Sequence, residues 1–404
     1  MCVLHSAHSA PKSVLHPSVG HSGPPDPRSC SPPGQSHALP TAVPAWQADG
    51  GTKKFPTNKA GAKYGTGYCD AQCPHDLKWI SGEANMIGWN GSKTDPNVGS
   101  GHYGTCCAEL DIWEGNAIGT QMTVHSCSKP GSYRCEGVEC GDNNGKNASD
   151  PGDRFKGICD KNGCDFNPYR EGAHDFYGPG PQFKIDSTKP VTVVTQFITD
   201  DGTDNGALKE MRRFYVQDNK TIQNPTASYG PGPQGQKYDS LSDDTCKVQM
   251  ANFSDRYDVF SGKGGIKGMG ESMRRNMSLV LSLWDDHSVG MKWLDAIDPY
   301  PGPGKPLAPG ALRGTCNQTE GDYDKVEKNH PGANVVYSDI RYGAIGSTFG
   351  PTVGPTPPPP CPGGSTGKCI STCDPSVPAK YLQCIHDCED HCPHDYNTAR
   401  TYIA

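Results

Sequence analysis

The stretch that decides the fold is Cys106-Cys107-Ala108-Glu109-Leu110-Asp111-Ile112-Trp113-Glu114-Gly115-Asn116, in which three carboxylates fall within six residues of an apolar run. Because side chains alternate between the two faces of a β-strand, Leu110 and Ile112 point to one face, and Glu109 and Asp111 share the other. The stretch therefore predicts a strand with one face in a core and acids on the opposite face.

Glu114 has the wrong parity to join the other two acids on a regular strand. A β-bulge that inserts one unpaired residue between Asp111 and Glu114 would correct the parity, and bulges are common next to active sites. We therefore predict a bulge in this strand, which brings all three acids to one concave face.

The spacing of the acids favours one kind of chemistry. At a rise of about 3.3 Å per residue, less about one residue for the bulge, the backbones of Glu109 and Glu114 lie about 13 Å apart. Two Glu side chains that lean together would approach the roughly 5–5.5 Å carboxyl separation of a retaining glycosidase, rather than the roughly 6.5–9.5 Å of an inverting one. One Glu would be the nucleophile and the other the acid/base. The alternative is a solvated strand edge that carries negative charge.

The composition is typical of a loop-rich, secreted all-β protein, with 50 Gly, 37 Pro and 19 Cys among 404 residues. A net charge of −7 offers nucleic acid no basic surface. No apolar run approaches the roughly 18 residues of a membrane span. Six N-x-S/T sequons would be usable in a secretory compartment, at Asn90, Asn147, Asn219, Asn252, Asn276 and Asn317.

Eight motifs, in order along the chain, carry a resemblance to a known family. They are FPTNKAGAKYGTGYCDAQCP (55–74), CCAELDIWEGN (106–116), GCDFNPYREG (163–172), VTVVTQF (191–197), LVLSLWDD (279–286), MKWLD (291–295), LRGTC (312–316) and DIRYGAIGST (339–348). On these motifs the chain resembles, from 48 to about 350, glycoside hydrolase family seven, the cellobiohydrolases and endoglucanases. The resemblance implies an all-β, concanavalin-like β-sandwich, or jelly roll, whose concave face holds a cellulose chain.

The resemblance assigns Glu109 as nucleophile, Glu114 as acid/base and Asp111 as the acid that steers the nucleophile. It implies that His125 has a direct catalytic-site role near Glu114, whereas a lone histidine would otherwise be read as merely hydrogen-bonded. It also implies that nine further residues bind the glucan, namely Gln72, Asp76, Lys78, Arg154, Asp165, Arg170, Trp284, Trp293 and Arg313.

Three positions depart from the family pattern. His75 stands where arginine is usual, and Asn162 replaces an aspartate of the product sites. Asp298 stands where a tyrosine is expected, with Tyr300 as a substitute. We expect altered contacts with the sugar at these positions.

Alternating polar and apolar runs predict the other strands. They are 68–73, beside the catalytic strand, and 191–197, 214–217, 277–284, 291–294 and 335–340. The long loop 127–172 holds five cysteines, so we expect it to be ordered. In the family, cellobiohydrolases keep this loop to roof a tunnel, whereas endoglucanases shorten it.

Cysteines in a secreted protein favour disulfides over metal binding. The family pairing would join Cys69–Cys107, Cys73–Cys106, Cys127–Cys159, Cys135–Cys140 and Cys164–Cys246. Cys316 is then left over, because its counterpart in the family pairs with a segment that we expect to be missing here.

We expect residues 1–47 to be a disordered or mistranslated segment, because they are rich in Pro, Ser and His without usable periodicity. We do not expect them to form a signal peptide, since no basic n-region precedes a continuous apolar h-region. Family members carry further strands before this point, so we expect a catalytic domain at 48–350 that is incomplete at its N-terminus.

Residues 351–367 are rich in Pro and Gly and predict a stiff linker. The tail at 368–404 places cysteines at helical spacing and predicts a small Cys-rich helical module whose function stays unassigned. Zinc binding through Cys384, His386, Cys388 and His391 is the alternative reading of the tail.

Together these features predict a secreted, extracellular monomer that hydrolyses β-1,4-glucan with retention. We expect it to release cellobiose processively from cellulose chains, at their reducing ends. No cofactor or metal is expected, and no nucleic-acid or membrane partner. The alternatives are an endo-β-1,4-glucanase, and an inactive fragment or non-catalytic glucan-binding protein.

Overall fold

The computed structural model describes residues 68–348 apart from 81–82, 94–97, 144–151, 254–257 and 276, together with three strands at 2–3, 14–20 and 37–44. The chain divides into two units, 1–348 and 349–404, and the described residues lie in the first. The predicted linker and Cys-rich tail, with its alternative zinc ligands, lie outside the described residues. Within the described part, no helix is long and apolar enough to cross a membrane.

Strands dominate the described residues. In chain order they are β1 (Cys2–Val3), β2 (Val14–Gly20), β3 (His37–Pro44), β4 (Trp79–Ile80), β5 (Glu83–Ala84), β6 (Asn90–Gly91), β7 (Gly99–Ser100), β8 (Gly104–Cys106), β9 (Glu109–Gly115), β10 (Thr120–His125), β11 (Tyr133–Cys135), β12 (Cys164–Phe166), β13 (Tyr177–Gly178), β14 (Ile185–Asp186), β15 (Val191–Thr199), β16 (Leu208–Gln217), β17 (Lys220–Gln223), β18 (Ser240–Ser242), β19 (Met277–Trp284) and β20 (Val336–Arg341). The α-helices are α1 (Asp243–Asn252), α2 (Val259–Gly262), α3 (Gly265–Met273), α4 (Lys292–Asp295) and α5 (Tyr323–Asn329).

Two six-stranded sheets form the predicted β-sandwich. The first has the order β1-β19-β3-β9-β10-β12, and the second has the order β17-β16-β15-β2-β20 with β18 paired to β16. The strand with the acids, β9, lies inside the first sheet between β3 and β10, and all seven of its residues are buried.

Two apolar clusters join the sheets. In the first, Ile112 and Met122 of the first sheet share a cluster with Met211 and Leu241 of the second. In the second, Trp113 of β9 shares a cluster with aromatic and aliphatic residues of β15 and β16. Because burying one such side chain stabilises the fold by about 1.5–3 kcal/mol, these clusters fix β9 firmly against the opposite sheet.

The predicted bulge in β9 is confirmed. Glu114 lies opposite Gln121 of β10 and Asp111 lies opposite Thr123, so β9 carries one more residue than β10 between these pairs. The two consecutive residues in between, at 112 and 113, both enter the core, each in a different cluster. Glu114 therefore returns to the face that Asp111 occupies.

All five predicted disulfides are present, joining Cys69–Cys107, Cys73–Cys106, Cys127–Cys159, Cys135–Cys140 and Cys164–Cys246. The first two tie the segment around residue 70 to the residues that lead into β9. Cys316 takes part in none of these five bridges and is buried, with its N–H donating to the carbonyl of Asp295 at 2.9 Å.

Four of the predicted strands are confirmed. Residues 191–197 lie inside β15 and 214–217 inside β16, residues 277–284 form β19, and the strand predicted at 335–340 is β20, shifted by one residue. The strand predicted at 291–294 is wrong, because α4 occupies this place. Gly290 and Met291 both have left-handed backbone, at φ 63° and 58°, and the Asp286 carboxylate accepts the Met291 N–H at 3.1 Å. That turn prevents an extended chain.

The strand predicted at 68–73 is also wrong. Only one bridge forms there, between Asp70 and Cys106. Cys73 has left-handed backbone at φ 56° and a disulfide to Cys106, so the chain turns where a strand would continue.

Residues 1–47, for which the sequence predicts disorder, contain β1, β2 and β3. β3 pairs with both β19 and β9, and β2 pairs with both β15 and β20. Strands such as β9 and β19 present rows of backbone N–H and C=O groups that need partners, and any extended segment satisfies them regardless of its side-chain pattern. Side-chain periodicity therefore could not predict these pairings.

Candidate active site

Glu109 is the first residue of β9 and is held at its carboxylate by the neighbouring disulfide-linked segment. Its Oε2 accepts the Ala71 N–H at 3.0 Å. Burial raises the pKa of Glu109, and the negative charges of Asp111 and Asp70 raise it further, whereas the charge of His125 and the Ala71 N–H lower it. The Ala71 N–H and the His125 cation are thus the groups that favour the ionised form of Glu109 against the effect of burial.

Asp70 is an acid of this site that the sequence analysis did not single out. Its Oδ2 accepts from the Tyr68 hydroxyl at 2.6 Å, and its Oδ1 accepts the Gln72 N–H at 2.8 Å. Burial raises the pKa of Asp70 to about 6, against the effect of these hydrogen bonds. Asp70 therefore adds a further proton-binding group beside Glu109.

His125 is held between two acceptors. Its Nε2 lies 3.1 Å from Asp111 Oδ2, and its Nδ1 lies 2.8 Å from the carbonyl oxygen of Asp160. Burial lowers the pKa of His125, but the hydrogen bond to Asp111 and the charges of Asp111 and Glu109 outweigh it and raise the pKa to about 10. A doubly protonated imidazolium satisfies both acceptors, so the ring carries the positive charge of the site.

The structure corrects the expected position of His125. It lies opposite Glu109 across the β9–β10 ladder and pairs with Asp111, not with Glu114. One ligand atom from each of Glu109, Asp111 and His125 lies within 4.8 Å of the others. The two-residue alternation of β10 produces this arrangement, because Thr123 and His125 share a face and Thr123 is the residue nearer Glu114.

Glu114 lies in a different environment. Its Oε2 accepts from the Thr123 hydroxyl at 2.7 Å and from Gln121 Nε2 at 2.8 Å. Burial raises the pKa of Glu114 to about 8, the charge of Asp111 adds to the rise, and the two hydrogen bonds oppose it. Glu114 is therefore protonated at neutral and mildly acidic pH and is able to donate a proton.

A second polar group unites three of the predicted sugar-binding residues. Asp165 Oδ1 accepts from Arg170 Nη1 at 2.5 Å, and Asp165 Oδ2 accepts from Arg313 Nη1 at 3.0 Å. Arg170 also donates to the Gly310 carbonyl at 3.0 Å and covers the Phe253 ring, with its guanidinium carbon 4.3 Å from the ring centroid. Burial raises the pKa of Asp165, but the two arginines outweigh it and hold the pKa below its usual range.

Arg154 and Gln72 meet at another point of the loop 127–172. Both donate to the carbonyl of Lys161, Gln72 at 2.8 Å and Arg154 at 3.3 Å. Arg154 also donates to Asn162 Oδ1 at 2.8 Å, so the residue that departs from the family pattern holds one of the predicted sugar-binding arginines. These contacts do not include the Asp165 group.

Trp284 and Trp293 are half-buried and stacked, with centroids 6.3 Å apart and planes inclined by 26°. Trp293 Nε1 donates to Asp286 Oδ2 at 3.1 Å, which fixes the ring. Two partly exposed indoles of this kind suit the apolar C–H faces of a sugar. Of the remaining predicted residues, Lys78 lies 5.6 Å from the Trp89 ring centroid, and Asp76 is exposed.

Several of the site's polar residues were missed by sequence reasoning. Thr123 and Gln121 follow from the register of the β9–β10 hairpin once the bulge is placed, so the sequence carried a signal for them. The sequence carries no such signal for Glu171, although this residue lies inside the motif GCDFNPYREG (163–172). It is fully buried, and Gln249 Nε2 donates both to Glu171 Oε1 at 2.7 Å and to the Asp165 carbonyl at 2.5 Å.

Comparison with known proteins was made for both sequence and structure. The family model for Glycosyl hydrolase family 7 matches residues 41–349. Solved structures similar to the chain include a cellobiohydrolase from Daphnia pulex, at 49% identity and a TM-score of 0.71, over 83% of this chain and 71% of that one. A cellobiohydrolase from Melanocarpus albomyces complexed with cellotetraose is 38% identical, with a TM-score of 0.68 over 83% of this chain and 71% of that one. An endocellulase from Humicola insolens is 32% identical, with a TM-score of 0.61 over 83% of this chain and 68% of that one.

We predict that the free energy of unfolding of the parent protein falls between about pH 4.5 and pH 7, and that Glu171→Gln makes this fall smaller. Burial raises the pKa of Glu171 from 4.5 to about 7, so the folded state binds a proton here more tightly than the unfolded state. The resulting stability is complete below pH 4.5 and is lost as the pH rises to about 7. Urea denaturation at pH 5 and pH 7.5 should show this loss reduced by roughly 1–3 kcal/mol in the variant.

The control is Glu271→Gln, which alters an exposed carboxylate and should leave the pH dependence of the parent unchanged. Parallel stability profiles for the parent and Glu171→Gln across this range would contradict the prediction.

Proposed function

The chain belongs to glycosyl hydrolase family 7, and from that premise we propose that it is a retaining β-1,4-glucan hydrolase that releases cellobiose processively from cellulose chains. The observation that carries the proposal is the division of labour along β9. Burial raises the pKa of both acids, but their partners differ: Glu109 accepts a backbone N–H and lies beside the His125 cation, whereas Glu114 accepts from the neutral side chains of Thr123 and Gln121. One carboxyl is thus prepared to act as a nucleophile, and the other as an acid.

In the first step, Glu109 attacks the anomeric carbon of the sugar. The bond from this carbon to the glycosidic oxygen breaks, and Glu114 gives its proton to the departing oxygen. A covalent glycosyl ester on Glu109 results. Asp111, fixed by its ion pair with His125, stands between the two acids along the strand and steers the Glu109 carboxylate.

In the second step, Glu114 is a carboxylate and accepts a proton from water. The water oxygen bonds to the anomeric carbon, the ester to Glu109 breaks, and Glu109 leaves as a carboxylate. Glu114 is then protonated again, so the two steps return the site to its first state with net retention at the anomeric carbon. The chemistry needs no cofactor.

The substrate class follows from the two outer groups. The stacked pair Trp284 and Trp293 offers a platform for a sugar, and the Asp165–Arg170–Arg313 group offers charged donors for sugar hydroxyls on the product side. A neutral β-1,4-glucan fits this combination of apolar faces and hydroxyl-binding groups. A non-catalytic glucan-binding protein would have no use for two buried acids on one strand with such different hydrogen-bond partners.

Two observations favour cellobiohydrolase action over endoglucanase action, and the family resemblance suggests that this action starts from reducing ends. The loop 127–172 is retained and stapled by disulfides, as a tunnel roof requires. The identity to the two cellobiohydrolases, 49% and 38%, exceeds the 32% to the endocellulase. We further propose that the enzyme is secreted, because the five disulfides among the described residues need an oxidising compartment, and that it acts as a monomer.

We predict that Glu109→Gln lowers cellobiose release from cello-oligosaccharides by about 10³-fold or more, because the amide keeps the shape of the side chain but lacks the nucleophilic charge. Binding of cellotetraose, measured by calorimetry, should stay within about threefold of the parent value. Glu271→Gln serves as the exposed control and should keep full activity. Turnover by Glu109→Gln near the parent rate would exclude Glu109 as nucleophile.

We predict exo action on carboxymethylcellulose, because a roofed tunnel holds one chain for successive cuts. Reducing ends should then accumulate with little loss of viscosity, and cellobiose should be the main soluble product from cellulose. A rapid fall in viscosity alongside the gain in reducing ends would instead assign an endoglucanase.

A further inference from the structure

Arg213 of β16 is a cation buried in the sandwich core, with 3% of its surface exposed. Its Nη2 donates to the carbonyl oxygen of Ile112, and its Nε donates to Thr195 Oγ1 at 3.2 Å. Neither acceptor is a carboxylate, and Nη1 has no hydrogen-bond partner among the described residues. Burying a guanidinium without a carboxylate costs several kcal/mol, so its presence here calls for a reason.

The acceptor of Arg213 is part of the β9 bulge. The ladder to β10 pairs Asp111 with Thr123 and Glu114 with Gln121, and it gives Ile112 and Trp113 no Cα partner. The ladder from β3 reaches only Leu110 and Asp111. The backbone at Ile112 therefore lacks the regular pairing that fixes the rest of the strand, and Arg213 supplies a contact from the opposite sheet.

The bulge has side-chain anchors as well. Ile112 and Trp113 each enter a core cluster, and Arg213 lies 5.7 Å from the ring of Tyr215, which belongs to the same cluster as Trp113. Gly115 leaves room for the Trp113 ring, because a Cβ on this residue would lie 2.4 Å from that ring. The apolar contacts place the side chains of the bulge, whereas Arg213 contacts its backbone by donating to the Ile112 carbonyl.

We propose that Arg213 is a positioning residue that fixes the backbone of the bulge and thereby aims Glu114 at the leaving oxygen. The inference rests on the proposed role of Glu114 as acid/base. Arg213 does not touch the substrate in this proposal. It acts through Ile112, two residues before the acid, where a small rotation of the backbone displaces the Glu114 carboxyl.

The consequence differs between two kinds of substrate. A cello-oligosaccharide loses an alkoxide, which needs the Glu114 proton, whereas 2,4-dinitrophenyl β-cellobioside loses a stable phenolate that needs none. Because kcat/KM covers the steps up to the first bond cleavage, a misaimed Glu114 lowers kcat/KM for the oligosaccharide and spares the dinitrophenyl substrate. A general loosening of the fold would lower both.

The experiment compares Arg213→Met with Arg212→Met and Glu114→Gln on both substrates. Methionine at 213 removes the donors and the charge but fills similar space, and apolar replacements of buried ions are often tolerated. Arg212 is the matched control, since it is the next residue on β16 and its side chain is exposed and paired with Glu210. Glu114→Gln gives the pattern expected when acid catalysis is lost.

We expect Arg213→Met to lower kcat/KM for cellotetraose by about 10- to 100-fold and to change kcat/KM for the dinitrophenyl substrate by less than about threefold. Arg212→Met should change neither value. Arg213→Lys keeps the charge and one donor and should fall between Arg213→Met and the parent. If Arg213→Met does not fold, Arg213→Lys is compared in its place, with the melting temperature of each variant as the check on folding.

Equal losses on both substrates would show that Arg213 only stabilises the fold, and no loss on either would show that it has no part in catalysis. Either result overturns the proposal. If Glu114→Gln itself fails to separate the two substrates, the acid/base role of Glu114 is wrong, which is a failure of the proposed function and is distinguishable from a failure of Arg213 alone.

Discussion

One extra residue in β9, between Asp111 and Glu114, is the constraint on which the site depends. Without it, strand alternation would send Glu114 into the core and leave Glu109 and Asp111 without a partner acid. The bulge costs regular pairing at Ile112 and Trp113, and the sandwich compensates by burying both side chains and by offering Arg213 to the Ile112 carbonyl. The arrangement of the acids on β9 thus depends on packing between the sheets.

The balance of charge is the second requirement. The charge of Asp111 raises the pKa values of Asp70, Glu109 and Glu114, and the charge of His125, the cation among these acids, lowers them. Four buried carboxylates cannot all be ionised beside one imidazolium, so protons must be retained within the group. The separate hydrogen bonds of Glu109 and Glu114, to a backbone amide and to side chains on β10, give these two acids different surroundings, on which their proposed division into nucleophile and acid rests.

The sequence predicts the structure correctly where the structure follows from the alternation of side chains along a strand or from the cysteine pairing of the family. The bulge was predictable because Glu114 breaks an alternation that Leu110 and Ile112 establish, and the five disulfides followed from the family pattern. Prediction failed where distant contacts override local pattern. The Asp286 carboxylate gathers backbone N–H groups and turns a predicted strand into α4, while β1 to β3 form because other strands need backbone partners. Nothing in the sequence indicates that Arg213 and Glu171 are buried, because charged residues are mostly exposed in folded proteins.

The central claim is that β9 presents Glu109 as the nucleophile and Glu114 as its proton-donating partner. It is tested most directly by trapping the covalent intermediate with 2,4-dinitrophenyl 2-deoxy-2-fluoro-β-cellobioside, whose fluorine slows both steps while its leaving group keeps the first step the faster. Intact mass followed by peptide mapping should show one fluorocellobiosyl group, attached to Glu109. An adduct on Glu114 or on any other residue, or turnover of the probe with inversion and no adduct, would contradict the account.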